Sequence, residues 1–175
     1  MKYYDVEVLS IPAGGTIDGV RKVGIYECPA ERRPYKRRGE YRPLYMAFRG
    51  KGGSVKNLYK VLELKKMPIE GTEYEKIKPN IDPKVVAKID GYRKIVAHNS
   101  NDTEEKWVFV LDIDKPINLP YEVVHERNNT TVDISHGLSD YLSSPEPSGK
   151  YKDKVLFKTK KSQNRGLFVA NHSKP

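Results

Sequence analysis

Glu63-Leu64-Lys65 sets a carboxylate and an ammonium two residues apart, the spacing at which strand side chains share one face. With another acid nearby, such a pair can hold Mg²⁺ and position a water for phosphodiester cleavage. Asp112-Ile113-Asp114 repeats the spacing with two carboxylates, the hard oxygen donors that a divalent ion prefers. A metal-dependent nuclease or phosphoryl-transfer enzyme would use Glu63, Lys65 and Asp112 or Asp114, with Mg²⁺ as its cofactor. Both motifs also have an ordinary reading. Glu40 is the sole acid between Glu31 and Glu63, and it lies ahead of the next strand rather than within it. Asp114 precedes Lys115-Pro116, where a strand would leave the core and turn. No catalytic residue or metal site is therefore assigned, and no cofactor is expected outside the nuclease alternative.

A second kind of chemistry is written in residues 31–66, which hold twelve Lys or Arg against three Glu. The chain's formal charge is +9, and this stretch accounts for all of it. Arg32, Arg33, Lys36, Arg37, Arg38 and Arg42 crowd a Pro- and Gly-bearing stretch, with Tyr35 and Tyr41 among them. The planar Arg fork holds two phosphate oxygens at once, and tyrosines stack on unpaired bases. Arg49 and Lys51 extend the candidate nucleic-acid surface into the following hairpin. The bland alternative is a solvated basic loop with its tyrosines packed on the body. Gly50-Lys51-Gly52-Gly53-Ser54 suits a hairpin turn better than a phosphate cradle, because a strand rather than a helix follows. The run Lys150–Arg165 adds further cations, and Trp107 is a stacking candidate whose ordinary place is the core.

His98, His125, His136 and His172 show no metal-ligand spacing, although His125, Glu126 and His136 could meet in the fold. Cys28 is the single cysteine, so neither a disulfide framework nor a cysteine-rich zinc site is available within the chain. No apolar run approaches a membrane span, and MKYYDVEVLSIP lacks an uninterrupted apolar h-region. The expectation is a cytoplasmic location without a membrane partner.

The elements that must position these residues read mostly as strands. Residues 3–9 alternate and end before Pro12, and Val20–Glu27 reads as a second strand stopped by Pro29. Leu44–Arg49 and Asn57–Lys65 form a hairpin around the glycine turn. Lys106–Asp114 is a continuous apolar run, with weaker strands at Tyr121–His125, Thr131–Ile134, Val155–Thr159 and Leu167–Ala170. One helix stands out at 82–98, opened by Asp82-Pro83 and striped by Val85, Ile89, Tyr92 and Val96. A short second helix is indicated near Leu138–Leu142. The expectation is one α+β domain over 1–175, mainly antiparallel β: a small barrel with one clear helix and a C-terminal β extension. Residues 143–149 read as a loop or hinge, and 162–175 as a poorly ordered tail.

Arg42–Arg49 (RPLYMAFR), Leu58–Met67 (LYKVLELKKM) and Trp107–Leu119 (WVFVLDIDKPINL) give an element order that resembles the PUA-like superfamily of small β-barrels, including ASCH and EVE domains. The resemblance spans residues 20–120. It implies a barrel that binds RNA, or DNA bearing a modified base, in a basic, aromatic-lined cleft. The leading expectation is thus a nucleic-acid-binding module for RNA or DNA. The other readings are the nuclease and an accessory or inhibitor protein docking on an acidic protein partner.

Overall fold

The computed structural model describes residues 7–13, 16–30, 43–96, 104–125, 134–142 and 154–157. Its elements in chain order are β1 (Glu7–Pro12), α1 (Ile17–Val23), β2 (Ile25–Pro29), β3 (Tyr45–Arg49), β4 (Ser54–Met67), α2 (Gly71–Ile77), α3 (Pro83–Ile95), β5 (Lys106–His125), β6 (Ile134–Gly137), α4 (Leu138–Leu142) and β7 (Lys154–Phe157). All seven strands join one sheet in the order β2-β5-β4-β3-β1-β6, and β7 pairs with β5. Pairing is antiparallel except for β1 with β3 and β5 with β7. The expected α+β class with a mainly antiparallel sheet is what forms. Among the described residues no pairing joins β6 to β2, so the ladder is open where a closed barrel was expected.

The sheet is nevertheless strongly curled. β2 and β3 are three places apart in the order, roughly 14 Å in a flat sheet. Yet the rings of Tyr26 and Phe48, one from each strand, lie 5.5 Å apart, and Tyr26 also meets Phe109 of β5 at 5.8 Å. The concave side holds one apolar core: Leu9, Ile11, Val20, Tyr26, Cys28, Met46, Phe48, Tyr59, Val61, Phe109 and Leu111. The convex side is covered in two places. α2 and α3 bury Ile69, Tyr74, Val85, Ile89 and Tyr92 with Ile25, Val108 and Val110. α4 seats Tyr141 with Val8, Ala47, Val55, Leu58 and Val123. Burial pushes the phenols of Tyr74, Tyr92 and Tyr141 upward, holding all three neutral.

α3 forms as its sequence predicts. The Asp82 carboxylate accepts from Lys84 N–H at 2.7 Å, Pro83 occupies the first turn, and Val85, Ile89 and Tyr92 are buried. The helix ends at Ile95, with Val96 as its cap, rather than near 98. It is joined to α2 by a polar cluster in which Tyr74 donates to Asp90 at 3.3 Å and Lys78 pairs with Asp90 at 3.0 Å.

Three further expectations are corrected. Val20–Glu27 is not one strand: residues 20–23 finish α1, and β2 begins at Ile25. Val20 and Val23 fit either period, and packing decides, since Val20 enters the concave core while Val23 joins the helical side. The helical content also exceeds one clear helix, because α1 and α2 were not anticipated. Finally, β5 does not stop at Asp114. It continues to His125 with residues 113–116 inserted between the partners of Lys60 and Leu58, and 119–122 between those of Asn57 and Val55. Pro116 and Pro120 lack the N–H a ladder needs, so the chain bulges at each and then resumes pairing. Between the bulges Asn57 and Asn118 face each other, with a 2.6 Å side-chain hydrogen bond holding the register.

The hinge between α1 and β2 requires glycine. Gly24 has φ +72°, and a Cβ there would lie 2.8 Å from the Leu111 carbonyl oxygen. That oxygen already accepts from Lys88 Nζ at 3.2 Å. Gly24→Ala is expected to cost about 2–3 kcal/mol, combining left-handed strain with a backbone clash. Urea unfolding should show a lower midpoint at unchanged slope, and an unchanged midpoint would contradict this geometry.

Candidate nucleic-acid interface

Of the candidate contacts, Arg32, Arg33, Tyr35, Lys36, Arg37, Arg38, Tyr41 and Arg42 lie outside the described residues, as does the run Lys150–Arg165 except for its strand Lys154–Phe157. The structure does place both attachments of the 31–42 segment. β2 runs toward its last residue, Pro29, opposite Lys106 at the start of β5. Tyr45, the first residue of β3, pairs with Lys60, and β4 continues from there to Met67, also opposite Lys106. The chain therefore leaves β2 and re-enters β3 from the same end of the curled sheet.

That end is built around Trp107. Cys28 on β2 and Lys66 on β4 are its direct cross-strand neighbours, so the three side chains form a row on the concave face. Trp107 is half-buried against the concave core, and its indole N–H donates to the Ala30 carbonyl at 3.1 Å. Ala30 N–H in turn donates to the Glu105 carbonyl at 3.1 Å, and the Glu105 carboxylate pairs with Lys66 at 2.7 Å. On the returning side, the Leu44 carbonyl accepts from Val61 N–H at 2.9 Å. Ala30, Lys66 and Glu105 were not singled out by sequence. The bond from Trp107 to Ala30 spans 77 residues and ends on a backbone atom, so no local signal marks it.

Apart from Lys65, which lies at this end on the convex face, the remaining cations of residues 43–66 lie away from Trp107. Arg49 is buried, 5 % exposed, and its charge acts on the Tyr141 phenol on the convex side. Lys51 belongs to the turn at the opposite end of β3, about 17 Å along the strand from the point of re-entry. In that turn Gly53 N–H donates to Gly50 O at 3.0 Å and Gly50 N–H to Ser54 O at 2.8 Å. Those donors close a hairpin rather than face a phosphate. Lys56 and Lys60 are exposed on β4, and Lys60 faces outward beside Asp112.

The acidic motifs find partners within the fold. Glu63 and Lys65 share the convex face and pair with each other at 2.9 Å. Asp112 accepts from Lys115 N–H at 3.2 Å and so caps the first bulge of β5. Asp114 lies inside that bulge rather than on the face of Asp112 and Glu63. Among the described residues, no three His, Cys, Asp or Glu side chains are grouped to hold a metal ion. His125 ends β5 beside β7, whereas His136 lies on β6 at the far side of the order. Glu63→Gln should change stability by less than about 1 kcal/mol in urea unfolding, because its ion pair is substantially solvated. A loss several times larger would show that the pair carries the strand.

No family model matches the chain, and no curated protein matches it. Among solved structures, the chain is similar to the crystal structure of a point mutant of ZmASCH from Zymomonas mobilis. The identity is 12 %, covering 64 % of this chain and 72 % of that one, with a TM-score of 0.35. A likeness at that level assigns neither a ligand nor a closed barrel. Among the described residues, no helix is long and apolar enough to cross a membrane.

Proposed function

We propose that the protein binds nucleic acid, RNA or DNA, through the basic–aromatic segment 31–42 carried at the Trp107 end of the curled sheet. The observation behind this reading is the attachment of that segment. Its preceding residue is held by Trp107 and Glu105, and its return strand approaches from the same end of the fold. Six cations against two acids in twelve residues, with Tyr35 and Tyr41, would then stand together at one end of a rigid sheet. Phosphates would be held by the Arg forks, and unpaired bases would stack on the tyrosines. Lys66, beside Trp107, would add a contact by exchanging its ion pair with Glu105 for a phosphate.

Binding of fluorescently labelled single-stranded RNA, single-stranded DNA and duplexes, followed by anisotropy from about 0.05 to 0.5 M salt, tests the proposal. The logarithm of the association constant should fall linearly with the logarithm of salt, steeply enough to count several phosphate contacts. Absence of binding to every probe, or binding indifferent to salt, would overturn it. So would co-purification with a single acidic protein that survives nuclease treatment, coupled with no affinity for the probes.

A further inference from the structure

We infer that Trp107 is a positioning residue: its indole hydrogen bond to Ala30, backed by the Ala30–Glu105 bond, fixes where the basic segment 31–42 leaves the sheet. By residue type Trp107 is a stacking candidate whose ordinary place is the core, and the geometry adds a further use. The indole N–H is spent on a backbone carbonyl at 3.1 Å, and the ring is half-buried against the core that holds Cys28 and Phe109. Ala30 is held through both of its backbone polar groups, since its own N–H donates to Glu105 O at 3.1 Å. Lys66 closes the arrangement from β4 through its ion pair with Glu105. Trp107 of β5 and Glu105 just before it thus hold Ala30, the residue between β2 and the segment, and β4 braces Glu105 through Lys66. A contact surface anchored this way loses less conformational freedom on binding than one attached by a free hinge. The role in binding rests on the nucleic-acid reading; the clasp itself does not.

Trp107 is the chain's one tryptophan, so its indole N–H gives a single, unambiguous NMR signal. In the free wild-type protein that proton should exchange with solvent on the order of tenfold or more slowly than in an exposed indole. Exchange at the exposed rate would overturn the clasp. Trp107→Phe keeps an aromatic ring in the core but removes the donor. Limited trypsin digestion of this variant should cut after Arg32, Lys36, Arg37 and Arg38 about fivefold faster than in the wild type, the factor expected for one lost hydrogen bond. Cutting after Lys84 and Lys94, on α3, should stay unchanged. Affinity for a labelled single-stranded oligonucleotide should fall by about the same factor, with the salt slope unchanged because no phosphate contact is removed. Unaltered cleavage would overturn the inference, as would acceleration that is equal at Lys84 and Arg32, which marks general loosening. A wild-type protein that binds no nucleic acid defeats the proposed function, yet leaves indole exchange and local cleavage to judge the clasp. A variant that binds as tightly as a binding-competent wild type defeats the positioning role alone.

Discussion

Replacing Arg32, Arg33, Arg37 and Arg38 together by Gln is expected to weaken binding to a single-stranded oligonucleotide by about two to three orders of magnitude at about 0.1 M salt. Each phosphate held by a cation on a single strand releases roughly 0.7 of a counterion, so four lost contacts should lower the salt slope by about 3. Gln stays polar and hydrogen-bonding but is two bonds shorter than Arg, so the change removes the charge and the bidentate fork together with some reach. The control is Lys56→Gln. Lys56 is exposed on β4, ten residues before Lys66 and near the Lys51 turn, and its removal should alter the slope by less than 1. If the two variants weaken binding equally per charge, the interaction is with the protein's net charge and not with segment 31–42. An unchanged slope in the fourfold variant would reject that segment outright.

Phe48→Ala is expected to remove about 3–5 kcal/mol of stability, a large share of the roughly 5–15 kcal/mol available to a domain of ordinary size. Phe48 is 4 % exposed and touches Tyr26 at 5.5 Å and Tyr59 at 5.9 Å. It therefore bridges β3 to a strand three places away, and its loss opens a cavity where the curl is held together. Leu62→Ala removes a comparable side chain from the β4 bulge, where it is 46 % exposed, and should cost less than about 1 kcal/mol. Urea unfolding of both variants measures the contrast. Similar small losses would mean that the concave core does not set the stability of the sheet.

The elements legible in the sequence are those whose signals are local. Asp82-Pro83 and the stripe Val85, Ile89, Tyr92 encode α3, and two apolar runs around Gly50–Ser54 encode the β3–β4 hairpin. The run after Lys106 encodes the first half of β5. α1 was hidden because Val20 and Val23 suit both periods, and the Gly24 cap reads equally as a turn. Tyr121–His125 reads as a separate strand, and its continuity with the first half was hidden because proline normally ends a strand, whereas here β4 is long enough to re-engage the chain after each bulge. For the site, the sequence located a cluster of charge but not its partition in space. Consecutive strand residues point to opposite faces, so Lys65 joins Glu63 on the convex side and Lys66 joins Trp107 on the concave side.

The amino-acid sequence alone therefore specifies a basic, tyrosine-bearing segment between two strands, the feature on which the proposed polyanion partner rests. It follows from composition and spacing, which need no folded context. Three-dimensional packing settles where the other cations of residues 43–66 go. Arg49 goes to the core, Lys65 to Glu63 and Lys51 to the opposite end of β3, because strand register and bulges assign each side chain its face and height. The same packing brings Trp107 against Ala30, a contact between residues 77 apart that no local pattern could announce.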